Sequence, residues 1–194
     1  MLRIIYFLLI FSILTYSPRS VKPITHGTLS VNELHQPVRW DKLPISFYFD
    51  PSFPKDKKLI FLRESNRLNS LVGMEVIHVI SAPLPPEDDD TNYNIITISR
   101  SDDMPFGERE EAKTVTVERK SKLILASIFY NPVYMRPDYD FASITRHELC
   151  HALGIQHIGT GNQGLMSPYQ DRYQIKEWDE SLLQQWKQEM AQAD

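Results

Sequence analysis

The chain has 194 residues and a formal net charge of −4, with 42% hydrophobic and 24% charged residues. This composition is that of an ordinary globular protein and excludes collagen, a coiled coil and bulk disorder. The length suits one domain with a real core better than two domains. The single cysteine, Cys150, excludes a disulfide within the chain, so the core and any bound ions must stabilise the fold.

Residues 1–20 differ from the rest of the chain. Arg3 precedes an apolar run from Ile4 to Leu14, and the sequence then turns polar. This pattern is typical of a secretory signal peptide, because a membrane-spanning helix needs about 20 apolar residues. We therefore expect a secreted or periplasmic protein. An uncleaved N-terminal anchor, with the domain facing outside the membrane, is the alternative because no clear cleavage motif precedes Val21.

The charge of the remaining chain also limits its partners. Loss of residues 1–20 would remove two arginines and no acidic residue, which leaves a formal charge of −6. Nucleic-acid binding needs a basic surface, so we expect no nucleic-acid partner. Residues 21–38 are polar and weakly patterned and are predicted to be a short leader or N-terminal arm. Residues 39–194 are predicted to form the domain.

The first half of this domain is predicted to be rich in strands. "LPISFYFD" alternates apolar residues and indicates a strand, whereas "KDKKLIFLRESNRLNSLVG" indicates a helix that ends at Gly73. Four further strands are predicted from "MEVIHVI", "NIITISR", "AKTVTVE" and "KLILASIFY". The basic "RKSK" between the last two strands indicates a hairpin.

Two helices are predicted in the second half. "DFASITRHELCHALG" begins after a plausible N-cap, Asp140, and stops at Gly154. The stretch from Asp179 repeats apolar residues every four positions, at Leu182, Trp186 and Met190. The element order is therefore β-α-β-β-β-β-α-loop-α, which favours an α+β domain.

"HELCHALGIQH", residues 147–157, carries the strongest chemical signal. His147 and His151 are four residues apart on a helix and can reach one metal ion, while Glu148 can reach a water on that metal. Gly154 allows the helix to end and the chain to turn back, so that His157 completes the site. Zinc with three protein ligands keeps a position for water, as catalytic sites do.

A simpler interpretation is three unrelated histidines that are satisfied by hydrogen bonds, with Glu148 on a solvated face. It does not explain why Gly154 lies where the geometry requires a break. Cys150 is expected to be a small buried side chain, and His78 a residue of a strand that binds no metal.

The motif matches H-E-x-x-H-x-x-G-x-x-H and resembles that of the metzincin metalloproteases, whose second mark is a methionine turn. "GLMSP" places Met166 nine residues after His157. "RWDKLPISFYF" and the proline of "LMSP" are most similar to the matrixin, or matrix-metalloprotease-like, branch. The resemblance covers residues 39–190 in element order and is most specific over 144–169.

The resemblance implies a metzincin-like catalytic domain over residues 39–194. Its expected parts are a twisted, mostly parallel sheet with one antiparallel edge strand, an active-site helix, a methionine turn and a C-terminal helix. It implies a zinc metalloendopeptidase in which Glu148 is the general base and acid. The zinc ligands would be His147, His151 and His157, and the structural supports Gly154 and Met166.

The implied substrate is a protein or peptide that lies extended along an edge strand of a monomeric enzyme. Ala112 to Glu118 is the candidate strand, although an interior strand is the alternative. One zinc is expected, since "SDDMPFGEREEA" has no histidine for a second ion. Calcium at Asp88, Asp89 and Asp90 is conceivable, but a solvated acidic loop is the preferred interpretation.

Two other functions fit part of the pattern. A zinc-binding module without proteolytic activity would keep the histidines, but it would have no need of Glu148. Some ribosomal-RNA maturation endoribonucleases use the same spacing, H-x3-H-x5-H, without a glutamate after the first histidine. Glu148, the signal-like segment and the negative charge all disfavour that alternative.

Overall fold

The computed structural model describes residues 29, 37–79, 94–108, 110–135, 140–157, 164–167 and 176–192. The predicted signal peptide, most of the predicted arm and the acidic residues Asp88 to Asp90 lie outside these ranges. No helix in the described ranges combines the length and the apolar character needed to cross a membrane.

Six strands and three α-helices make up the described fold. The strands are β1 (Arg39–Trp40), β2 (Ile45–Phe49), β3 (Ile77–Val79), β4 (Ile95–Arg100), β5 (Ala112–Arg119) and β6 (Lys122–Tyr130). The helices are α1 (Lys55–Val72), α2 (Phe141–Ala152) and α3 (Glu180–Ala191), with a short 3₁₀ turn at Pro132–Tyr134.

The sheet is mostly parallel. Strands β6, β4, β2 and β3 pair in that order, each parallel to its neighbour, and β1 pairs in parallel with the start of β6. Strand β5 is antiparallel to β6 and pairs with no other strand of the described chain, so it forms an edge. The mixed architecture and the mostly parallel sheet are therefore confirmed.

The β5–β6 hairpin forms where "RKSK" predicted it. Lys120 and Ser121 have positive φ angles of 52° and 64°. Two successive residues of positive φ form the two-residue turns whose twist matches that of antiparallel strands. The turn brings β6 back along the full length of β5, and β5 packs against α2.

Helix α1 buries one face. Phe61, Ser65, Leu68 and Val72 are all buried, and they pack in the core between α1, α2 and the sheet. The helix ends at Gly73, whose left-handed conformation lets its N–H donate to the Asn69 carbonyl. A glycine is suited to this position because it adopts positive φ without steric cost.

Helix α2 is the most buried helix of the described fold, and its two ends are fixed by side chains. Asp140 caps the first turn by accepting a hydrogen bond from the Ala142 N–H. At the other end, the indole N–H of Trp40 donates to the Ala152 carbonyl at 2.8 Å. The indole of Trp186 donates to the next carbonyl, that of Leu153, at 3.2 Å. Carbonyls at a helix end lack partners within the helix, so these bonds fix where α2 stops.

Part of the predicted N-terminal arm packs beside the same helix end. Leu29 is buried and forms an isolated antiparallel bridge with Ile155. Its N–H donates to the Glu189 carboxylate of α3 at 3.1 Å. The turn that follows α2 is therefore held between the arm, α3 and the start of the sheet.

Candidate metal centre

Three imidazoles converge at the C-terminal end of α2. The Nε2 atoms of His147 and His151 are 3.0 Å apart, those of His151 and His157 are 3.0 Å apart, and those of His147 and His157 are 3.2 Å apart. Helical spacing accounts for the first pair, because residues four apart lie one turn above each other on the same face. The third imidazole is brought in by the turn after α2.

Gly154 makes this turn possible for two reasons. Its φ of 88° is in the left-handed region. A Cβ at this position would lie 3.1 Å from the Val38 carbonyl oxygen and 3.1 Å from a Leu123 methyl carbon, so a side chain would fit only if these neighbours moved. The N–H of Gly154 donates to the His151 carbonyl and that of Ile155 to the Cys150 carbonyl, both at 2.9 Å. This pair of bonds is the Schellman motif, which closes the helix and reverses the chain.

Two backbone carbonyls orient the first two imidazoles. His147 Nδ1 lies 2.7 Å from the Leu165 carbonyl oxygen, and His151 Nδ1 lies 2.9 Å from the Ile155 carbonyl oxygen. A carbonyl oxygen only accepts, so each Nδ1 must carry the proton. In the neutral imidazole, Nε2 then carries a lone pair that faces the other histidines.

The environment favours the neutral form of these rings. Burial and the neighbouring His151 lower the pKa of His147 to about 3. Burial and the neighbouring His157 lower the pKa of His151 to about 4. The pKa of His157 is lowered as well, by burial and by the positive charge of Lys176. All three rings are therefore neutral near pH 7.

Neutral rings at this spacing are suited to a cation. The lone pairs of His147 and His151 face each other at 3.0 Å without a proton between them, which is repulsive unless a positive ion lies among them. Ligands of a tetrahedral ion with bonds of about 2.0–2.1 Å lie about 3.3 Å apart, close to the observed distances. In the described chain, these three histidines form the one group of side chains close enough to share an ion. They can bind one metal ion.

Two comparisons with known proteins found no match for this chain. Its sequence matches no model of a protein family, and no curated protein matches it. The interpretation of the metal centre therefore rests on the chain's own residues and their geometry.

Glu148 directly follows His147 on α2 but does not belong to the group of side chains that can share an ion. It is buried, with 5% of its surface exposed. Its Oε2 accepts a hydrogen bond of 2.6 Å from the Thr114 hydroxyl of β5. Burial raises the pKa of Glu148 to about 7, although the bond from Thr114 acts in the opposite direction. A carboxyl group of this pKa can both accept and donate a proton near neutral pH.

The segment of Met166 supports the centre from one side. Met166 and its neighbour Leu165 are both buried in the core. The turn is closed by the Ser167 N–H, which donates to the Gly164 carbonyl at 3.1 Å. Its direct contribution to the site is the Leu165 carbonyl that orients His147. Met166 is buried, and the hydrophobic support that the resemblance implies for it stays a prediction.

A buried ion pair connects α2 to α1 beside His147. Arg146, the residue before His147, donates through Nε to Glu64 Oε2 of α1 at 2.8 Å. The same oxygen accepts from the Trp178 indole at 3.2 Å. Burial by itself would raise the pKa of Glu64, but the guanidinium groups of Arg146 and Arg63 outweigh it and the pKa is lowered. The pair is thus ionised and links α2 to α1.

Lys176 adds a positive charge near this centre. It is buried, its N–H donates to the Ser143 hydroxyl at 2.8 Å, and its carbonyl accepts a hydrogen bond from Arg146. Its charge contributes to the lowered pKa values of His147 and His157. The segment that precedes α3 is therefore tied to α2 beside the ligands.

The structure brings together most of the residues that the sequence selected, and it adds others. The three histidines converge, Glu148 is adjacent, Gly154 makes the turn and Met166 is buried. Cys150 is fully buried, and His78 is exposed on β3, where it pairs with Glu75. Thr114 was not predicted to be a site residue, although the pattern "AKTVTVE" placed it correctly on a strand. The Leu165 and Ile155 carbonyls were also missed, because a backbone group has no signal in the sequence.

Proposed function

We propose that the chain is an exported, zinc-dependent endopeptidase of the metzincin type, closest to the matrixin branch. The observation that carries this proposal is the convergence of three neutral Nε2 atoms, two of them from α2, the helix that also carries Glu148 directly after His147. Further support comes from the mostly parallel sheet, the reversal at Gly154 and the buried segment of Met166.

Zinc is the ion that best suits this donor set. Imidazole nitrogens are favoured zinc ligands, and three protein ligands leave a position for a fourth. When bound, zinc would lower the pKa of a water molecule and polarise the scissile carbonyl. His147, His151 and His157 would hold it, and the Leu165 and Ile155 carbonyls would keep the first two rings in the ligating tautomer.

Glu148 would transfer the protons of the reaction. Its carboxylate would accept a proton from the attacking water and return it to the leaving amine. The pKa of about 7 supports this role, since the group can then act in both directions at neutral pH. The burial of the side chain supports it as well, because bulk water competes less for the proton.

Strand β5 would bind the substrate. It is an edge of the described sheet, it packs against α2, and Val115 and Val117 expose apolar side chains on it. An extended peptide can add to such an edge by backbone hydrogen bonds, which would lay one of its carbonyls near the metal. The substrate class is therefore an extended protein or peptide segment, cleaved by a monomeric enzyme.

Export is proposed from residues 1–20, which have the charge and apolar pattern of a signal peptide. An N-terminus that remains uncleaved would anchor the same domain outside the membrane. The sequence pattern at Val21 supports either outcome, and the mass of the exported protein distinguishes them.

A peptide-library digest tests the enzymatic proposal. We expect the zinc-loaded full chain to cleave internal peptide bonds and o-phenanthroline to abolish the cleavage. Glu148→Gln should bind zinc within about 3-fold of wild type but lose at least about 100-fold in kcat/KM, because the general base is removed. Glu75→Gln, at an exposed glutamate on the surface, is the matched control and should keep full activity.

The outcomes separate the alternatives. Zinc binding without cleavage of any library peptide would contradict the protease and favour a zinc-binding module. Full activity of Glu148→Gln would contradict the proposed general base. RNA cleavage in place of peptide cleavage would favour the endoribonuclease.

A further inference from the structure

The closest partner of the Glu148 carboxyl group comes from a distant part of the chain. Thr114, in the middle of β5, donates its hydroxyl proton to Glu148 Oε2 at 2.6 Å. The same hydroxyl lies 3.3 Å from the Glu148 carbonyl oxygen. A hydroxyl has one proton, so the shorter contact with the charged oxygen is the one that it satisfies.

This hydrogen bond is the link between the edge strand and the reactive end of α2. Thr114 is half-buried and opposite Ile128 of β6, so its backbone is held by the hairpin. Within the described chain, Glu148 Oε1 accepts no hydrogen bond, whereas Oε2 accepts that of Thr114. One carboxylate oxygen is thus held by the Thr114 hydroxyl.

We propose that Thr114 is a positioning residue for Glu148, whose hydroxyl holds the carboxylate in the orientation needed for proton transfer. This inference rests on the proposed function, because it concerns the group proposed as the general base. Without the hydroxyl, no hydrogen bond within the described chain would fix the orientation of the Glu148 carboxyl group. A shift of about 1 Å in a catalytic group is enough to cost about 100-fold in rate.

Kinetics of two substitutions at this position test the proposal. Thr114→Val keeps the shape of the side chain and removes the hydroxyl, so we expect kcat to fall by about 10- to 100-fold. KM and zinc affinity should change by less than about 3-fold, since neither the strand nor the histidines are altered. Thr114→Ser restores the hydroxyl and should recover kcat to within about 3-fold of wild type.

Thr97→Val is the matched control. Thr97 is also a half-buried threonine on a strand, and its hydroxyl donates to the Ser127 hydroxyl at 2.8 Å, away from the metal centre. It should keep wild-type kcat. A merely structural role of Thr114 would predict equal losses for both valine variants, or no recovery with serine, and either result would overturn the proposal.

Crystal structures of the zinc-loaded full chain test the positioning role of Thr114 without an activity assay. In wild type, the Thr114 hydroxyl should lie within hydrogen-bonding distance of Glu148 Oε2. In Thr114→Val, the three imidazoles should stay in place while the carboxylate of Glu148 moves or takes several positions. An unmoved carboxylate, or a wild-type distance beyond 3.5 Å, would refute the inference even if wild type cleaves peptides. Absence of peptide cleavage by wild type would instead contradict the proposed function.

Discussion

Two backbone carbonyls decide which nitrogen of His147 and His151 faces the metal centre. The Leu165 and Ile155 oxygens each accept a hydrogen bond from Nδ1, which leaves both Nε2 atoms with lone pairs. Burial keeps the rings neutral, and the third ring arrives from the turn after α2. The site is therefore in a ligating state before a metal ion binds, and little reorganisation should accompany binding.

The lowered pKa values predict that metal affinity depends little on pH. In Glu148→Gln, we expect zinc affinity to fall by less than about 5-fold between pH 8 and pH 6. Only neutral imidazole binds metal, and pKa values of about 3 and 4 keep His147 and His151 neutral in this range. If all three histidines had an ordinary pKa of 6.5, zinc affinity would fall by about 70-fold over the same pH interval.

A chelator competition titration at each pH measures this dependence. The Glu148→Gln background removes the carboxyl group whose own pKa of about 7 would overlap with the measurement. A loss of tens-fold by pH 6 would show that the rings titrate like exposed histidines.

At the scale of elements, the end of α2 is the part of the fold that the site depends on most. The indoles of Trp40 and Trp186 bind its last carbonyls, the Schellman motif reverses the chain, and Leu29 pairs with the turn at Ile155. Arg146 holds the other face of the helix to Glu64. Because these contacts come from four different parts of the chain, the position of His157 depends on the folded domain as a whole.

Two glycines with similar backbone angles allow a controlled test of this turn. Gly73→Ala should cost about 1 kcal/mol in the free energy of unfolding, because φ is 73° but a Cβ meets no atom within 4 Å. Gly154→Ala should cost at least about 2 kcal/mol, since its Cβ would also crowd the Val38 carbonyl at 3.1 Å. Urea denaturation measures both values.

The same pair should differ in metal binding. Gly154→Ala displaces the turn that carries His157, so we expect zinc affinity to fall by at least about 10-fold. Gly73→Ala, at the end of α1, should leave it unchanged. Equal effects of the two variants on zinc affinity would mean that the turn geometry does not control the site.

At the scale of the whole molecule, the sheet and the three helices share one hydrophobic core. Phe47 and Ile96 of the sheet, Phe61 of α1, Leu149 of α2 and Trp186 of α3 are all fully buried in the same cluster. An ion bound at the end of α2 is therefore bound by the native state alone, because the unfolded chain does not hold the three imidazoles together. Binding should stabilise the entire domain.

Thermal unfolding tests this coupling. A free zinc concentration of 100 times the Kd should add about 2.7 kcal/mol to the free energy of unfolding. For a domain of this size, the Tm should then rise by about 5–10 °C. His157→Ala should abolish the shift. His78→Ala should retain it, since His78 lies exposed on β3 outside the ligand group. Calorimetry with and without a chelator measures the change, and a shift that survives His157→Ala would place the ion elsewhere.

The parts of the fold that the sequence predicted are those that depend on local spacing. The four-residue separation of His147 and His151, the break at Gly154 and the hairpin at "RKSK" each follow from the geometry of one element. The mostly parallel sheet was expected only from the resemblance, and the strand order was not predicted, because local pattern does not specify which strands pair. Thr114 lies 34 residues from Glu148 in sequence, and no periodicity connects them.

The three tryptophans of the chain give α2 an optical reporter. The indoles of Trp40 and Trp186 bind its last two carbonyls, and that of Trp178 binds the carboxylate that holds Arg146. Each indole of the chain is therefore in contact with the helix or with its ion pair. Indole emission is sensitive to hydrogen bonding and to the local electric field. Ultraviolet fluorescence of the unlabelled protein should therefore follow movements of the ligand-bearing helix in real time.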